Sequence, residues 1–314
     1  MRTAVIALIL SLLSACAGKG SLGRYTIASG SVSGVNHLTA GALVDILDTN
    51  RSAVQLKRIA TPDSAANVEL LASKTVDFAL IRSDILYYAS TGTVMFGNSY
   101  TNLYAIASLN TELCHILART DIETISGLNG RTIAVGSRGS ATEQAARQIL
   151  QAAEAMSEGT VLRNMTFLES RDALNSGEID AVIFMASLPT DIVSETLRSG
   201  SVHLLGMDSS LINRLTTAHP CYIQAEISEI YYGVPHPIRT IAAKTVLVAR
   251  ADLSADICYE LTYRLFEHRD SLAEQTDFKI DPHSAVEGFG TALHPGALSL
   301  YTEIGVLTID EESY

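Results

Sequence analysis

Apolar and polar residues alternate along the chain in the two periods that are typical of strands and helices. In the first third of the chain, strands are predicted at 25–28, 54–59 and 76–81, separated by helices at 36–47 and 65–73. A second unit of the same kind has strands at 132–135, 166–168 and 179–184, separated by helices at 142–155 and 170–175. Strands that alternate with helices form mostly parallel sheets covered by helices, so the pattern predicts an α/β protein with two lobes.

Two further apolar segments resemble each other and lie where the chain would pass between the lobes. Residues 113–121 and 245–252 both end in Ala-Arg-x-Asp, and we expect them to be hinge strands; chance similarity is the alternative. Helices are predicted after the second crossing at 254–268 and 295–304. The predicted domains are lobe 1 at 25–112, lobe 2 at 113–244 and a return to lobe 1 at 245–314.

The N-terminus has the features of an export signal. Arg2 precedes an apolar run at 4–13, which is too short for a permanent membrane span. The sequence Leu-Ser-Ala-Cys at 13–16 then reads as a lipobox, which predicts a signal peptide at 1–15, lipidation of Cys16 and a flexible tether at 16–24. The protein would sit on the periplasmic face of a bacterial membrane and contact that membrane only through the anchor. The alternative is a plain signal peptide and a soluble periplasmic protein.

Charge and composition exclude some partners and leave the ligand open. The 314 residues carry a formal net charge of −12, which disfavours nucleic acid as a partner. A cleft on an acidic protein can still be locally positive, so this charge gives no information about a small ligand. No nucleotide-binding, metal-binding or nucleophile motif is present, so we expect no cofactor, no metal and no catalysis.

Three cysteines remain if Cys16 is lipidated: Cys114, Cys221 and Cys258. In an oxidising compartment, this odd number allows either one disulfide bond and one free thiol, or three buried thiols. Their spacing matches no zinc site.

Two turns rich in Gly and Ser are the strongest candidates for ligand binding. Each follows a predicted strand and opens a helix, and they span 29–37 and 136–142. Such turns present backbone N–H groups and the positive end of a helix to an anion. The candidate residues are Ser31, Ser33, Gly34, Asn36, His37, Gly139, Ser140 and Thr142. Taken singly, each turn is better explained as an ordinary strand-to-helix turn with capping residues, but the two together in matched positions favour ligand binding.

Two arginines are further candidates because a guanidinium pairs well with a carboxylate. Arg82 directly follows a strand, in the sequence Arg82-Ser83-Asp84, and Arg138 lies within the second turn. The alternative for both is a surface position or an ion pair, with Asp84 or Glu143 as the partner.

In serial order, these motifs resemble those of the TAXI family, the solute-binding proteins of TRAP-type transporters. The family's G-G-x-x-G-x-Y-Y turn, Q-S-D-x-A-Y segment and V-G-x-x-G-S-G-T loop correspond to 29–37 (SGSVSGVNH), 82–87 (RSDILY) and 135–142 (VGSRGSAT). Its H-P-x-Y motif corresponds to 219–222 (HPCY), and L-H-P-G-A is intact at 293–297.

The resemblance implies a two-lobed fold of the periplasmic-binding-protein type II class. Each lobe would be a mostly parallel sheet flanked by helices, joined by two crossing hinge strands. It also implies a monomer that captures a small carboxylate, such as an acidic amino acid or a dicarboxylate, and delivers it to a TRAP-type membrane permease. Ser83, Asp84 and the turns at 29–37 and 137–142 carry over as ligand contacts.

The chain departs from the family pattern in its candidate pocket. Asn36 and His37 replace an aromatic pair, Arg82 replaces Gln, and Arg138 and Ala141 replace Pro and Gly. These changes predict a more basic pocket and a ligand with two negative charges. Two other functions stay open: a sensory protein of the same fold that reports to a membrane kinase, and an exported α/β hydrolase.

Overall fold

The structure is a computed structural model that describes residues 23–30, 32, 35–49, 52–276 and 278–308. Within these ranges the strands are β1 Gly23–Gly30, β2 Val54–Ala60, β3 Phe78–Arg82, β4 Leu103–Arg119, β5 Thr132–Ala134, β6 Val161–Arg163, β7 Ala181–Ala186, β8 Val202–Leu204, β9 Ile223–Ile227 and β10 Ile238–Arg250. The α-helices are α1 Val35–Thr49, α2 Ser64–Ala72, α3 Ser83–Thr91, α4 Ala141–Ala152, α5 Phe167–Ser176, α6 Asp191–Leu197, α7 Ser209–Ala218, α8 Glu229–Tyr232, α9 Ala255–Glu267, α10 Arg269–Thr276 and α11 Pro295–Glu303.

The strands form one curled sheet in the order β2-β1-β3-β10-β4-β7-β5-β6, with β8 on β4 and β9 on β10. In one half, β1 runs parallel to β2 and β3; in the other, β5 runs parallel to β6 and β7. The long strands β4 and β10 are antiparallel neighbours at the centre. This is the two-lobed α/β fold that the sequence predicts, with both lobes sharing the central strand pair.

The central strands explain how the chain passes between lobes. The final part of β10, from Thr245 to Ala249, pairs with β3 in lobe 1, whereas its first part pairs with β9. The predicted strands at 113–121 and 245–252 therefore form the later parts of β4 and β10, and in each the Arg of Ala-Arg-x-Asp lies close to the following Asp. The lobe boundaries at 112/113 and 244/245 stay predictions.

One predicted strand is wrong. Residues 166–168 begin helix α5, and the strand of this region lies earlier, at β6. The cause is a capping box: the Thr166 hydroxyl accepts a hydrogen bond from the Glu169 N–H, and the Glu169 carboxylate accepts one from the Thr166 N–H at 2.7 Å. This pair satisfies free donors at the helix start, which outweighs the β-like composition of Thr-Phe-Leu.

The intact L-H-P-G-A segment has a structural role in lobe 1. His294 caps α11 by accepting a hydrogen bond from the Gly296 N–H, and Pro295 occupies the first turn, where its missing N–H costs nothing. A Cβ at Gly296 would overlap the carbonyl of Ala255. The glycine therefore allows α11 to pack closely against α9.

The three described cysteines are buried free thiols, which decides between the two possibilities left by the sequence. Burial raises the pKa of Cys114, Cys221 and Cys258 to about 12 in each case. The predicted signal peptide, Cys16 and most of the tether lie outside the described residues, as do Ser31, Ser33 and Gly34. No helix in the described ranges is long and apolar enough to cross a membrane.

Candidate ligand-binding site

A cavity of about 610 Å³ lies where the two lobes meet. The first turns of helices from both lobes open onto it: α1, α2 and α3 from lobe 1, and α4 from lobe 2. Helix N-termini carry partial positive charge and unpaired N–H groups. The cavity is therefore suited to a ligand with a negatively charged group.

The first predicted turn reaches this cavity through its described ends. Ser29, Gly30, Val35 and Asn36 line the wall. Asn36 Oδ1 accepts a hydrogen bond from Thr245 on β10 at 3.2 Å, which ties the start of α1 to the central strands. The Asn36 amide group thus has a fixed position at the wall.

His37 does not line the cavity. Its Nδ1 lies 2.9 Å from the Ser29 hydroxyl, and its backbone carbonyl accepts a hydrogen bond from Arg58. The imidazole therefore contacts the end of β1 through Ser29 and lies behind the cavity wall. Ligand contact by His37 stays a prediction.

The second predicted turn faces the same cavity from lobe 2. Gly139, Ser140 and Thr142 line the wall, and Ser140 caps α4 by accepting a hydrogen bond from the Glu143 N–H. The Gly139 N–H is not free, because it donates to the Glu143 carboxylate at 2.7 Å. The loop therefore offers hydroxyls and the helix end, whereas Arg138 is exposed and lies outside the wall.

Arg82 is the only cation among the described residues that line the cavity, and it is 5% exposed. Its Nε and Nη2 donate to the two carboxylate oxygens of Asp84 at 2.8 and 2.7 Å, and its Nη1 donates to Glu112 at 3.3 Å. Burial by itself lowers the pKa of the guanidinium, but the two carboxylates raise it above its usual value. Arg82 is therefore charged and held in one orientation.

The other two residues of the Arg-Ser-Asp segment lie beneath the wall. Ser83 and Asp84 are fully buried. The Ser83 hydroxyl donates to the Cys221 carbonyl and accepts from the Lys244 N–H, which connects α3 to lobe 2 and to β10. Asp84 orients Arg82. Their predicted role as direct ligand contacts stays a prediction.

Two carboxylates at the wall were not predicted. Asp63 caps α2 by accepting from the Ala66 N–H at 2.8 Å, and Glu112 lies in the middle of β4. Burial and Asp84 raise the pKa of the Glu112 carboxyl, and the opposing effect of Arg82 does not cancel the rise. The expectation of a basic pocket is wrong, because these carboxylates offset the single arginine.

The segment 185–190 of lobe 2 was also missed, and it completes the wall. Its end is held by a chain of hydrogen bonds in which the Thr190 N–H donates to the Tyr232 hydroxyl at 3.0 Å, and that hydroxyl lies 3.1 Å from His115 Nε2. The other ring nitrogen of His115 lies 2.9 Å from the Leu113 carbonyl, so it carries the proton. Burial lowers the pKa of His115 to about 4, which keeps Nε2 free to accept.

Sequence comparison places the chain in a family. The model of the NMT1-like family matches residues 27–305, which is most of the chain. The chain belongs to the NMT1-like family.

Solved structures similar to this NMT1-like chain share its fold at low sequence identity. A TctC solute-binding protein from Polaromonas has a TM-score of 0.53 and 15% identity, covering 90% of this chain and 98% of its own. A periplasmic sulfonate-binding protein SsuA from Methylobacillus flagellatus KT has a TM-score of 0.51 and 13% identity, covering 91% and 88%. A protein from Xanthomonas citri bound to ATP has a TM-score of 0.53 and 12% identity, covering 83% and 92%.

Proposed function

We propose that this NMT1-like protein is a solute-binding protein that captures a small anionic metabolite in the cavity between its lobes. The observation that carries the proposal is the convergence of helix N-termini from both lobes around one buried arginine. Donors at helix ends and a fixed guanidinium together bind a carboxylate. The chemical class of the ligand is an acidic amino acid or a dicarboxylate.

The proposed partner is a membrane transporter of the TRAP type, and the protein is a binding protein and not an enzyme. Support comes from the serial order of TAXI-like motifs and from similar structures described as solute-binding proteins. The proposed location is the periplasmic face of a bacterial membrane, with Cys16 lipidated. Mass spectrometry of membrane-extracted protein tests the anchor: the expected mass includes lipid on Cys16, and an unmodified N-terminus would contradict it.

A thermal-shift screen of carboxylates and amino acids tests ligand binding. A ligand that binds only the folded protein raises the melting temperature as its concentration increases. At a ligand concentration one hundred times Kd, the free energy of unfolding rises by about 2.7 kcal/mol. NMR of the same mixtures should show no conversion of the ligand. Turnover of an ester or amide would instead favour the hydrolase alternative.

Two variants locate the binding site. Arg82→Lys keeps the charge but loses the planar fork, so we expect affinity to fall by about tenfold or more. Arg138→Met is the matched control, because its side chain is exposed outside the wall. Unchanged affinity in Arg82→Lys, with loss in Arg138→Met, would place the site elsewhere.

A further inference from the structure

We propose that Glu112 is the specificity-determining residue of this cavity and that it binds a cationic group, such as an ammonium, next to the ligand carboxylate that Arg82 receives. The inference rests on the proposed function. It narrows the ligand class from acidic amino acids and dicarboxylates to carboxylates that also carry an ammonium group.

The geometry around Arg82 shows that Glu112 is not needed to neutralise it. Asp84 already occupies one edge of the guanidinium with two hydrogen bonds, and its side chain is fully buried. Glu112 adds one longer contact of 3.3 Å, and 18% of its side chain is exposed. Among the described residues, two of the five N–H groups of the guanidinium have no hydrogen-bond partner, so they can donate to a ligand.

The Glu112 carboxylate lies at the cavity wall and has hydrogen-bond acceptor positions left for a ligand. Glu112 lines the cavity together with Arg82, and within the described part of the chain Arg82 is the one residue to which its carboxylate is hydrogen-bonded. A carboxylate has about four acceptor positions, so most of those on Glu112 are open. An ammonium group has only donors and would fill them.

The charge of the cavity also favours a ligand that carries a cation. Its charged wall residues are Asp63, Arg82 and Glu112, with Asp84 directly behind the arginine. A ligand carboxylate at Arg82 would be the third carboxylate around one guanidinium. Nothing would then compensate the repulsion between the ligand carboxylate and the Glu112 carboxylate. A cationic group placed between the ligand carboxylate and Glu112 removes that repulsion.

Asp63 provides a matched control in the same wall. Its carboxylate caps α2 by accepting from the Ala66 N–H, and it is solvent-exposed and makes no ion pair with Arg82 among the described residues. Asn is also a good N-cap residue, so Asp63→Asn removes a wall charge and keeps the helix start. Glu112→Gln likewise removes a charge and keeps the shape of the side chain.

Calorimetry with two matched ligand pairs tests the proposal, since glutamate and glutarate, and aspartate and succinate, differ only in the amine. We expect the amine-bearing member of the favoured pair to bind the wild-type protein at least about tenfold more tightly. In Glu112→Gln this advantage should fall below about threefold, whereas Asp63→Asn should retain it.

The outcomes separate this inference from the proposed function. If the dicarboxylate of the favoured pair binds as tightly as its amino-acid partner, or if Glu112→Gln keeps the full advantage, the inference is overturned and carboxylate capture stands. Repeating the titration in buffers of different ionisation enthalpy counts protons: uptake of a proton with an equally tight dicarboxylate would mean that Glu112 is neutralised by protonation, which also overturns it. If no carboxylate or amino acid of the screen binds, the proposed function fails and the inference falls with it.

Discussion

Arg82 and Asp84 form the most deeply buried ion pair at the ligand cavity. Asp84 is fully buried and makes two hydrogen bonds to the guanidinium, and it also accepts one from the Ile85 N–H. Removing one partner of such a pair leaves an uncompensated charge in a low-dielectric environment. The pair therefore links the stability of the fold to the orientation of the proposed ligand-binding group.

The variant Asp84→Asn tests this link. We expect it to lower the free energy of unfolding by about 3 kcal/mol or more, because the amide cannot compensate the buried guanidinium. Urea denaturation followed by circular dichroism measures the loss. Asp121→Asn, which removes a partner of the exposed Arg119, is the control and should change stability very little. Equal effects of both variants would contradict the special role of the buried pair.

The lowered pKa of the buried His115 predicts that the fold loses stability in acid. Its pKa is about 4 in the folded protein because of burial, below the usual value near 6.5, so the unfolded chain takes up the proton first. The contribution of neutral His115 to the free energy of unfolding is therefore fully present above pH 6.5 and is lost as the pH falls toward 4. At pH 5 the loss is about 2 kcal/mol.

Comparison of wild type with His115→Gln isolates this contribution. His219 and His294 also have lowered pKa values and add their own acid sensitivity, so the difference between the two proteins is the useful quantity. We expect the loss of stability between pH 7 and pH 5 to be smaller in the variant, as measured by urea denaturation at each pH. Parallel losses would show that His115 does not titrate in this way.

The candidate site was only partly predictable at this scale. Arg82 and the 137–142 turn carry local sequence signals, because both lie directly after strands and at helix starts. Glu112 has no such signal, because it lies inside a continuous 17-residue strand, where it pairs with Ala243 of β10. A side chain placed by register between distant strands cannot be located from local patterns.

Among the elements, the close contact of α9 and α11 is possible because Gly296 has no side chain. A methyl group there would overlap the Ala255 carbonyl and approach the Tyr259 N–H at 2.7 Å, and both are backbone groups that cannot rotate away. We expect Gly296→Ala to cost at least about 1–3 kcal/mol, as for other overpacked interiors. A calorimetric melting temperature measures the loss.

Gly97→Ala is the matched control for that variant, because nothing lies within 4 Å of its added methyl group. It should leave the melting temperature almost unchanged. If the two alanine variants melt together, α9 and α11 are not held at this contact.

Most elements were predictable because their apolar spacing is clear, as in α1 and β2, whose observed bounds are Val35–Thr49 and Val54–Ala60. The error at Thr166 is instructive, since the Thr-x-x-Glu signal of a helix start was present in the sequence. A run of three residues is too short for periodicity, so the capping residues should decide such cases.

At the scale of the whole molecule, the shared strands β4 and β10 should make the two lobes unfold together. Each strand carries residues of both lobe cores, and the Tyr88 hydroxyl on α3 is hydrogen-bonded to Gln148 on α4, which also accepts from Tyr222. Separation of one lobe would break the central ladder and leave these polar groups unpaired. We therefore expect a single cooperative transition.

The absence of tryptophan from the sequence makes this expectation measurable. Phe266→Trp in lobe 1 and Phe167→Trp in lobe 2 each place one fluorescent reporter at a partly buried aromatic position. Their urea transitions should coincide with each other and with the loss of circular dichroism. Two midpoints would show that the lobes unfold independently.

The interior position of Cys114, Cys221 and Cys258 has a practical consequence. Thiol-reactive dyes attack the thiolate, and a pKa of about 12 leaves these side chains protonated as well as covered at neutral pH. Two cysteines introduced on the surface, one on each lobe, would thus be labelled in preference to these three residues, which need not be replaced. Energy transfer between the two dyes would then show whether the distance between the lobes changes when a solute is added.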